Sequence, residues 1–414
     1  MKLACVIVTS LLLLFSGLHT TVSAQLQTPA CVHGGGIPLL LDLYLANLGA
    51  CNCQRSGVIL NEFPKCDEGP FVLDFEDNFD GGTIDTSKWQ LPGFQGALPG
   101  GQNVGVYTWN NVSLSDGMCH LTAKKETITT RATNWYDDNY ILADGHPNLR
   151  TFNFTSGLIS TNRQFLYGKY EIRCRMPKGK GFWPAFWVFG GKRWNEIDFF
   201  DSYAGLKEYV SSLGHDFNGT GGPNGCHGSR KGFDFSGWHT FSCIFDYDKI
   251  EFLIDDNTVR EINRVITGDG KPVLCGDNID YGVYYQLEAY PIETMNIIVN
   301  LALLSKNGPA DSTPIDESTP YPSSFDIDYV RYSKRVPAAL TIYPNPTPGK
   351  ISIHSNVAMQ SAELFNLAGQ SIYKLEVSAT DFEMDLTAQH NGIYLLKVSL
   401  DGIIKTSKII KLDP

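Results

Sequence analysis

Three carboxylates stand close together at Glu196, Asp198 and Asp201, in the run Trp194-Asn-Glu-Ile-Asp-Phe-Phe-Asp201. Clustered carboxylic acids suit the hydrolysis of glycosidic bonds, where one acid protonates the leaving oxygen and another attacks the sugar or activates water. Side chains on a strand alternate faces, so Glu196 and Asp198 share one. Asp201 lies at an odd offset from both and belongs to the opposite face unless one residue is inserted. A β-bulge at Phe199-Phe200 returns it to the acidic face. Retaining enzymes hold their two carboxyls about 5 to 5.5 Å apart, whereas four strand positions span roughly 13 Å. The side chains must therefore converge over a concave sheet. Close carboxylates cannot all ionise freely, so a proton is retained or shared, and Asp198 raises the proton affinity of its neighbours.

Alone, this pattern also describes a solvated or cation-binding acidic edge. Its surroundings argue for a cleft. The run Gly179-Lys-Gly-Phe-Trp-Pro-Ala-Phe-Trp-Val188 lies just upstream. Trp183 and Trp187 are four apart, hence on one face of a strand. Sugar rings present apolar faces that stack on aromatics, and Trp offers the largest surface. A pair of core tryptophans is the competing interpretation. Trp194 shares the face of Glu196 by the period of two.

The elements that must carry these residues read as strands. Lys169 to Arg175, Ile250 to Ile254 and Met295 to Leu301 alternate or are β-rich, and Gly, Asn, Asp and Pro separate them. No amphipathic helix of convincing length intervenes. Residues 70–335 are expected to form an antiparallel β-sandwich. Residues 340–414 lack Trp and Cys, are again β-patterned with turn signals such as Asn391-Gly392, and read as a second, small β-sandwich domain.

Ahead of both, residues 1–24 read as a signal peptide. An apolar run from Leu3 to Phe15 is followed by Val22-Ser-Ala24, with cleavage expected before Gln25. The run is too short to span a bilayer, and no transmembrane anchor is expected after its removal. Residues 25–69 form a Cys-rich extension with an apolar patch, Ile37 to Leu48, suited to a short helix. Ten cysteines are present, and Cys31, Cys51, Cys53 and Cys66 crowd this segment. In an exported protein that suggests disulfides, with zinc as the weaker alternative. The net charge of -11 argues against nucleic acid as a partner.

From Phe71 to about Tyr332 the chain resembles glycoside hydrolase family 16, the laminarinase, lichenase and agarase group. The resemblance rests on Phe75 to Asp80 with Asp85 to Trp89, on Thr155 to Ser160, on Tyr167 to Arg173, on Met176 to Trp187 and on Phe325 to Arg331. It implies a β-jelly-roll with a concave cleft, and a secreted endo-acting enzyme that cleaves a β-linked polysaccharide with retention. A β-1,3- or mixed-linkage glucan is favoured over a galactan. By position, Glu196 is implied as nucleophile and Asp198 as assisting acid. Asp201 falls where the family usually has Glu as acid/base, and Asp is one methylene shorter. The alternative is therefore a catalytically impaired jelly-roll that only binds carbohydrate. The same resemblance implies substrate contacts for His215 and Trp109, and a structural calcium at Asp328, with no cofactor needed for catalysis. Residues 340–414 resemble the sorting domain of the type IX secretion system, through Tyr343-Pro-Asn-Pro346, Glu363 to Gln370, Gly392 to Leu396 and Lys408 to Leu412. That implies outer-membrane secretion machinery as a partner and an extracellular or cell-surface location.

Overall fold

A computed structural model describes residues 55–64, 69–91, 102–131, 149–191, 195–202, 208–215, 226–231, 234–287, 289–308, 312–400 and 403–413, with only the backbone of 131, 208–215, 226–231 and 403. Among these residues there is no α-helix; one 3-10 turn, Trp109–Asn111, interrupts the strands. The all-β expectation holds.

Two large antiparallel sheets make the middle of the chain. One runs, edge to edge, through Cys226–Lys231, Glu208–His215, Asn195–Asp201, Phe182–Gly190, Met295–Leu303, Leu158–Phe165 and Trp89–Gln90. The other runs through Asn257–Asn263, Lys249–Ile254, His239–Phe245, Gly168–Arg175, Ser323–Arg335, Met118–Ala123 and Val112–Ser115, with Phe71–Asp77 also paired to Ser323–Arg335. The sheets pack face to face because their strands alternate. In Gly168–Arg175 every second residue is buried. Tyr170, Ile172, Phe241, Phe252 and Val330 from one sheet meet Phe186, Val188, Ile197, Val299 and Leu301 from the other in a single core. Burying each such large side chain contributes about 1.5–3 kcal/mol.

The lead segment is less of an appendage than its composition suggests. Its strand Arg55–Leu60 pairs with Gly282–Leu287, and the buried Arg55 guanidinium donates to the Asn263 carbonyl at 2.7 Å and the Arg264 carbonyl at 3.1 Å. The expected signal peptide, the helix at Ile37 to Leu48 and Cys31, Cys51, Cys53 and Cys66 lie outside the described residues.

The hydrogen-bonded sheets divide between Arg335 and Leu340. Beyond that point one continuous five-stranded sheet holds Leu340–Tyr343, Lys350–Phe365, Ser371–Asp385, Gly392–Leu400 and Ile403–Lys411. Strands of 16 and 15 residues are unusually long. Their register breaks, at His354/Met359 and Met359/Ser361, let this sheet fold around its own core of Ile351, Ile353, Leu364, Leu396, Val398 and Ile409.

Candidate active site

The face of the seven-stranded sheet turned away from the main core carries a second, smaller cluster. Tyr107, Leu158, Ala185, Trp187, Ile298 and Ala302 are buried there, with Trp183 and Phe189 partly buried against them. The acids join this face row by row. Glu196 sits opposite Phe189, Asp198 opposite Trp187 and Asp201 opposite Ala185 on Phe182–Gly190. On the far side of that strand, Phe189, Trp187 and Ala185 oppose Asn296, Ile298 and Asn300 of Met295–Leu303.

The odd offset of Asp201 is resolved by a bulge. Pairing runs Trp187 to Asp198, then Phe186 to Phe200, which leaves Phe199 without a partner on that strand. The other neighbour shows the same register shift between Asp198 and Asp201. Both phenylalanines point into the main core, their rings 4.7 and 6.2 Å from that of Phe186. Two successive apolar residues on one side are the physical cause: burying both forces the inserted residue, and Asp201 emerges on the acidic face. The pairing ends at Pro184, whose carbonyl still accepts from Ser202 N at 3.1 Å. Proline has no N–H to return the bond, so it is suited to the end of a ladder.

The start of the acidic strand is pinned by buried Asn195. Its amide nitrogen donates to Glu293 Oε2 at 3.1 Å, and its oxygen accepts from Ile292 N at 3.2 Å. Gly191, in the connection just before, has φ of +78°, and a side-chain carbon there would lie 2.2 Å from Glu293 Oε2. Gly181 ahead of Trp183 is needed for the same reason, with φ of +79° and the Ile315 backbone 2.4 Å from any added carbon.

The tryptophans act partly as hydrogen-bond donors. Trp183 Nε1 donates to Asp201 Oδ1 at 2.9 Å, and Trp187 Nε1 donates to Asn300 Oδ1 at 2.8 Å. Trp187 is only 6% exposed, so it supports the floor and leaves little ring for stacking. Trp183 is more open. Burial and the charge of Asp201 push Glu196 up to about 7, against a hydrogen bond from Asp198 that favours its ionised form. Burial and the charge of Asp198 hold Asp201 well above the usual carboxylate range, against the Trp183 hydrogen bond. Two carboxyls whose surroundings hold protons beyond their ordinary range can divide the roles of acid and nucleophile.

The remaining sequence candidates fare differently. Trp194 lies outside the described residues. The His215 backbone pairs directly with Asn195, one position from Glu196, but its side chain is not described. Trp109 is 37% exposed in a turn that packs on Met118–Ala123 of the opposite sheet. Asp328 is on the eight-stranded sheet, ion-paired to Arg173. Calcium requires six to eight oxygens. No group of three His, Cys, Asp or Glu suited to a metal occurs among the described residues. In this structure the charge of Asp328 is met by Arg173. Sequence reading missed Asn300, a lone polar residue in the apolar run Ile297 to Leu301, and passed over Tyr107 except as a neighbour of Trp109. The break in an otherwise apolar alternation was the available signal for Asn300.

A profile described as glycosyl hydrolases family 16 matches residues 107–273, and one described as a secretion system C-terminal sorting domain matches residues 341–412. A glucan endo-1,3-beta-glucosidase of Cryptopygus antarcticus is 28% identical over 281 residues, 64% of this chain and 92% of that protein. An endo-1,3-1,4-beta-glycanase of Rhizobium meliloti is 27% identical over 242 residues, 50% of this chain and 48% of that protein. Among solved structures, an endo-beta-1,3-glucanase of Pyrococcus furiosus is similar with a TM-score of 0.49 and 23% identity, covering 67% of this chain and 98% of that one.

Proposed function

We propose that this chain, which carries a family 16 glycosyl hydrolase domain followed by a C-terminal secretion sorting domain, is an exported endo-acting enzyme that cleaves a β-linked glucan with retention. The observation that carries the proposal is the bulge at Phe199-Phe200, which gathers Glu196, Asp198 and Asp201 on one face beside Trp183. Relatives named for 1,3- and 1,3-1,4-β-glucan cleavage support a glucan over a galactan.

In the first step Asp201, protonated, gives its proton to the glycosidic oxygen. That bond breaks as a Glu196 oxygen attacks the anomeric carbon and forms a glycosyl ester. In the second step the Asp201 carboxylate takes a proton from water, the water oxygen attacks the anomeric carbon, and Glu196 leaves as carboxylate. The sugar keeps its configuration, and the acid regains its proton. Asp198 orients Glu196 by its hydrogen bond. Both carboxyls are shifted upward, so each can hold a proton beyond the ordinary carboxylate range, which the acid of the pair requires. Two carboxyls and water balance both steps. Export by a signal peptide over 1–24, and disulfides that staple the lead segment, complete the proposal.

One observation favours a second reading. Asp201 is a methylene shorter than the family's usual glutamate, and a displacement of about an ångström can cost roughly 100-fold in rate. The second reading is a catalytically impaired protein that binds glucan and turns it over slowly or not at all. Reducing-end release from laminarin, lichenan and agar separates the readings. Turnover of a glucan by the wild type and none by Glu196→Gln supports the enzyme. Binding without turnover supports the second reading, and wild-type rates in Glu196→Gln overturn the assignment of the nucleophile.

A further inference from the structure

Indole nitrogen is a donor and never an acceptor, and in this site that fixes the direction of a chain of hydrogen bonds. Trp187 Nε1 donates to Asn300 at 2.8 Å, so the oxygen of the Asn300 amide has to face Trp187. Its nitrogen then faces the other way and donates to the Tyr107 hydroxyl at 3.2 Å. The Tyr107 oxygen is the acceptor in that contact, which leaves its own proton to point elsewhere. Tyr107 is 4% exposed, and among the described residues its hydroxyl makes no other hydrogen bond. A buried hydroxyl with an unspent donor calls for an acceptor.

The register suggests Asp201 as that acceptor. Asn300, Ala185 and Asp201 stand side by side on three adjacent strands. Ala185, between Asn300 and Asp201, has only a methyl side chain. Asp201 Oδ1 is taken by the Trp183 indole, and its second oxygen accepts no bond from the described residues. The charge of Asp201 is felt at the Tyr107 hydroxyl.

We infer that Tyr107 is a positioning residue for Asp201, its hydroxyl donating to the second carboxylate oxygen whenever Asp201 is ionised, with Trp187 and Asn300 holding it in the donor orientation. The role matters after Asp201 has passed its proton to the leaving oxygen and must wait, ionised and correctly placed, to activate water. Trp183 and Tyr107 then grip one oxygen each, and a short acid is held where a longer one would reach by itself. The inference rests on the reading of Asp201 as acid/base.

Tyr107→Phe keeps the ring in its cluster and removes only the hydroxyl. The decisive measurement is a carbon-13 NMR titration of aspartate carboxyls in the wild type and in this variant. Losing one donor to a carboxylate should raise the Asp201 midpoint by about one pH unit, a tenfold change in proton affinity. On a glucan the basic limb of kcat/KM should move up by the same amount, with kcat falling and KM within about twofold. Trp187→Phe frees the Asn300 amide to turn, and should move the midpoint in the same direction by less; it decides the matter if Tyr107→Phe does not fold. An unmoved Asp201 midpoint in a folded variant overturns the inference. A midpoint that moves in a protein that hydrolyses no polysaccharide upholds the hydrogen bond and overturns the proposed function instead.

Discussion

The two exposed sheet faces of the middle domain are both rich in carboxylates, and they treat them in opposite ways. On the eight-stranded sheet each acid is met by a cation. Asp326 takes Arg175 and His120, Asp328 takes Arg173, Glu76 takes Arg331 and Glu171 takes Lys169. Burial raises Asp326, but the bonds from Arg175 and His120 more than offset it and hold the carboxyl below its ordinary range. On the seven-stranded sheet no described Lys or Arg pairs with Glu196 or Asp201. Their partners are an indole and other acids, and both are held above the ordinary range. A neutralised acid is finished chemically, because its charge has been spent on the fold. An acid left with a proton to exchange is available for work, at a cost in stability.

The largest effect that tests this contrast is at Glu196. Glu196→Gln is expected to lower the rate of reducing-end release by about 10³-fold or more while the far-UV circular dichroism is unchanged. Asp201→Glu should have the next largest effect. Trp183 already meets the shorter carboxyl at 2.9 Å, so an added methylene should displace it and lower kcat by roughly 10- to 100-fold. A gain in kcat instead would mean that the site is a damaged version of one built for glutamate.

The pH dependence is a smaller but more direct reading of the same contrast. In the proposed mechanism Glu196 works ionised, so kcat/KM should fall as pH drops through about 7. Asp201 is proposed to work protonated, so it should fall again as pH rises through the raised midpoint of that acid. Stability should follow the same groups. A carboxyl whose folded midpoint lies above its unfolded one stabilises the fold at low pH and loses that contribution as pH rises to the folded midpoint. For Glu196 that window runs from its unfolded value near 4.5 to about 7. Glu196→Gln should therefore match the wild type near pH 4 and exceed it by about 1–2 kcal/mol at pH 8, after discounting for partial exposure. Thermal unfolding at the two pH values checks this.

Most of the acidic face was legible because it follows from period-two alternation and one count. Glu196 and Asp198 share a face by spacing alone, and an odd offset to Asp201 with two phenylalanines between demands an inserted residue. The Trp183 and Trp187 pair was legible as a face, but not as two different environments. How deeply each ring sits depends on Leu158 and Ile298 as well as on Phe189 of their own strand, and the first two come from strands remote in sequence. Asn300 and Tyr107 were illegible as partners for the same reason. They are 193 residues apart and meet only after the seven-stranded sheet closes. The partner of Asp328 was illegible as well: Arg173 is 155 residues away, and a strand pattern shows which residues face outward and not which cation arrives.

The smallest expected effect bears on the neutralised face. Arg173 and Asp328 are both substantially exposed, with side-chain exposures of 41% and 35%, and their attraction competes with water and salt. A double-mutant cycle of Arg173→Met and Asp328→Asn should give a coupling of about 1 kcal/mol or less, shrinking further at high salt. Neither substitution should change kcat or KM on a glucan, since the pair lies across the main core from Glu196. If either variant altered the pH profile, the division between spent and available carboxylates would fail, because a charge on the far sheet would be acting on the acids through the core. A coupling well above 1 kcal/mol with an unchanged profile would sharpen the division: the far face would then be a charge lattice that supports the sandwich, and the acidic face the one place where such pairing is withheld.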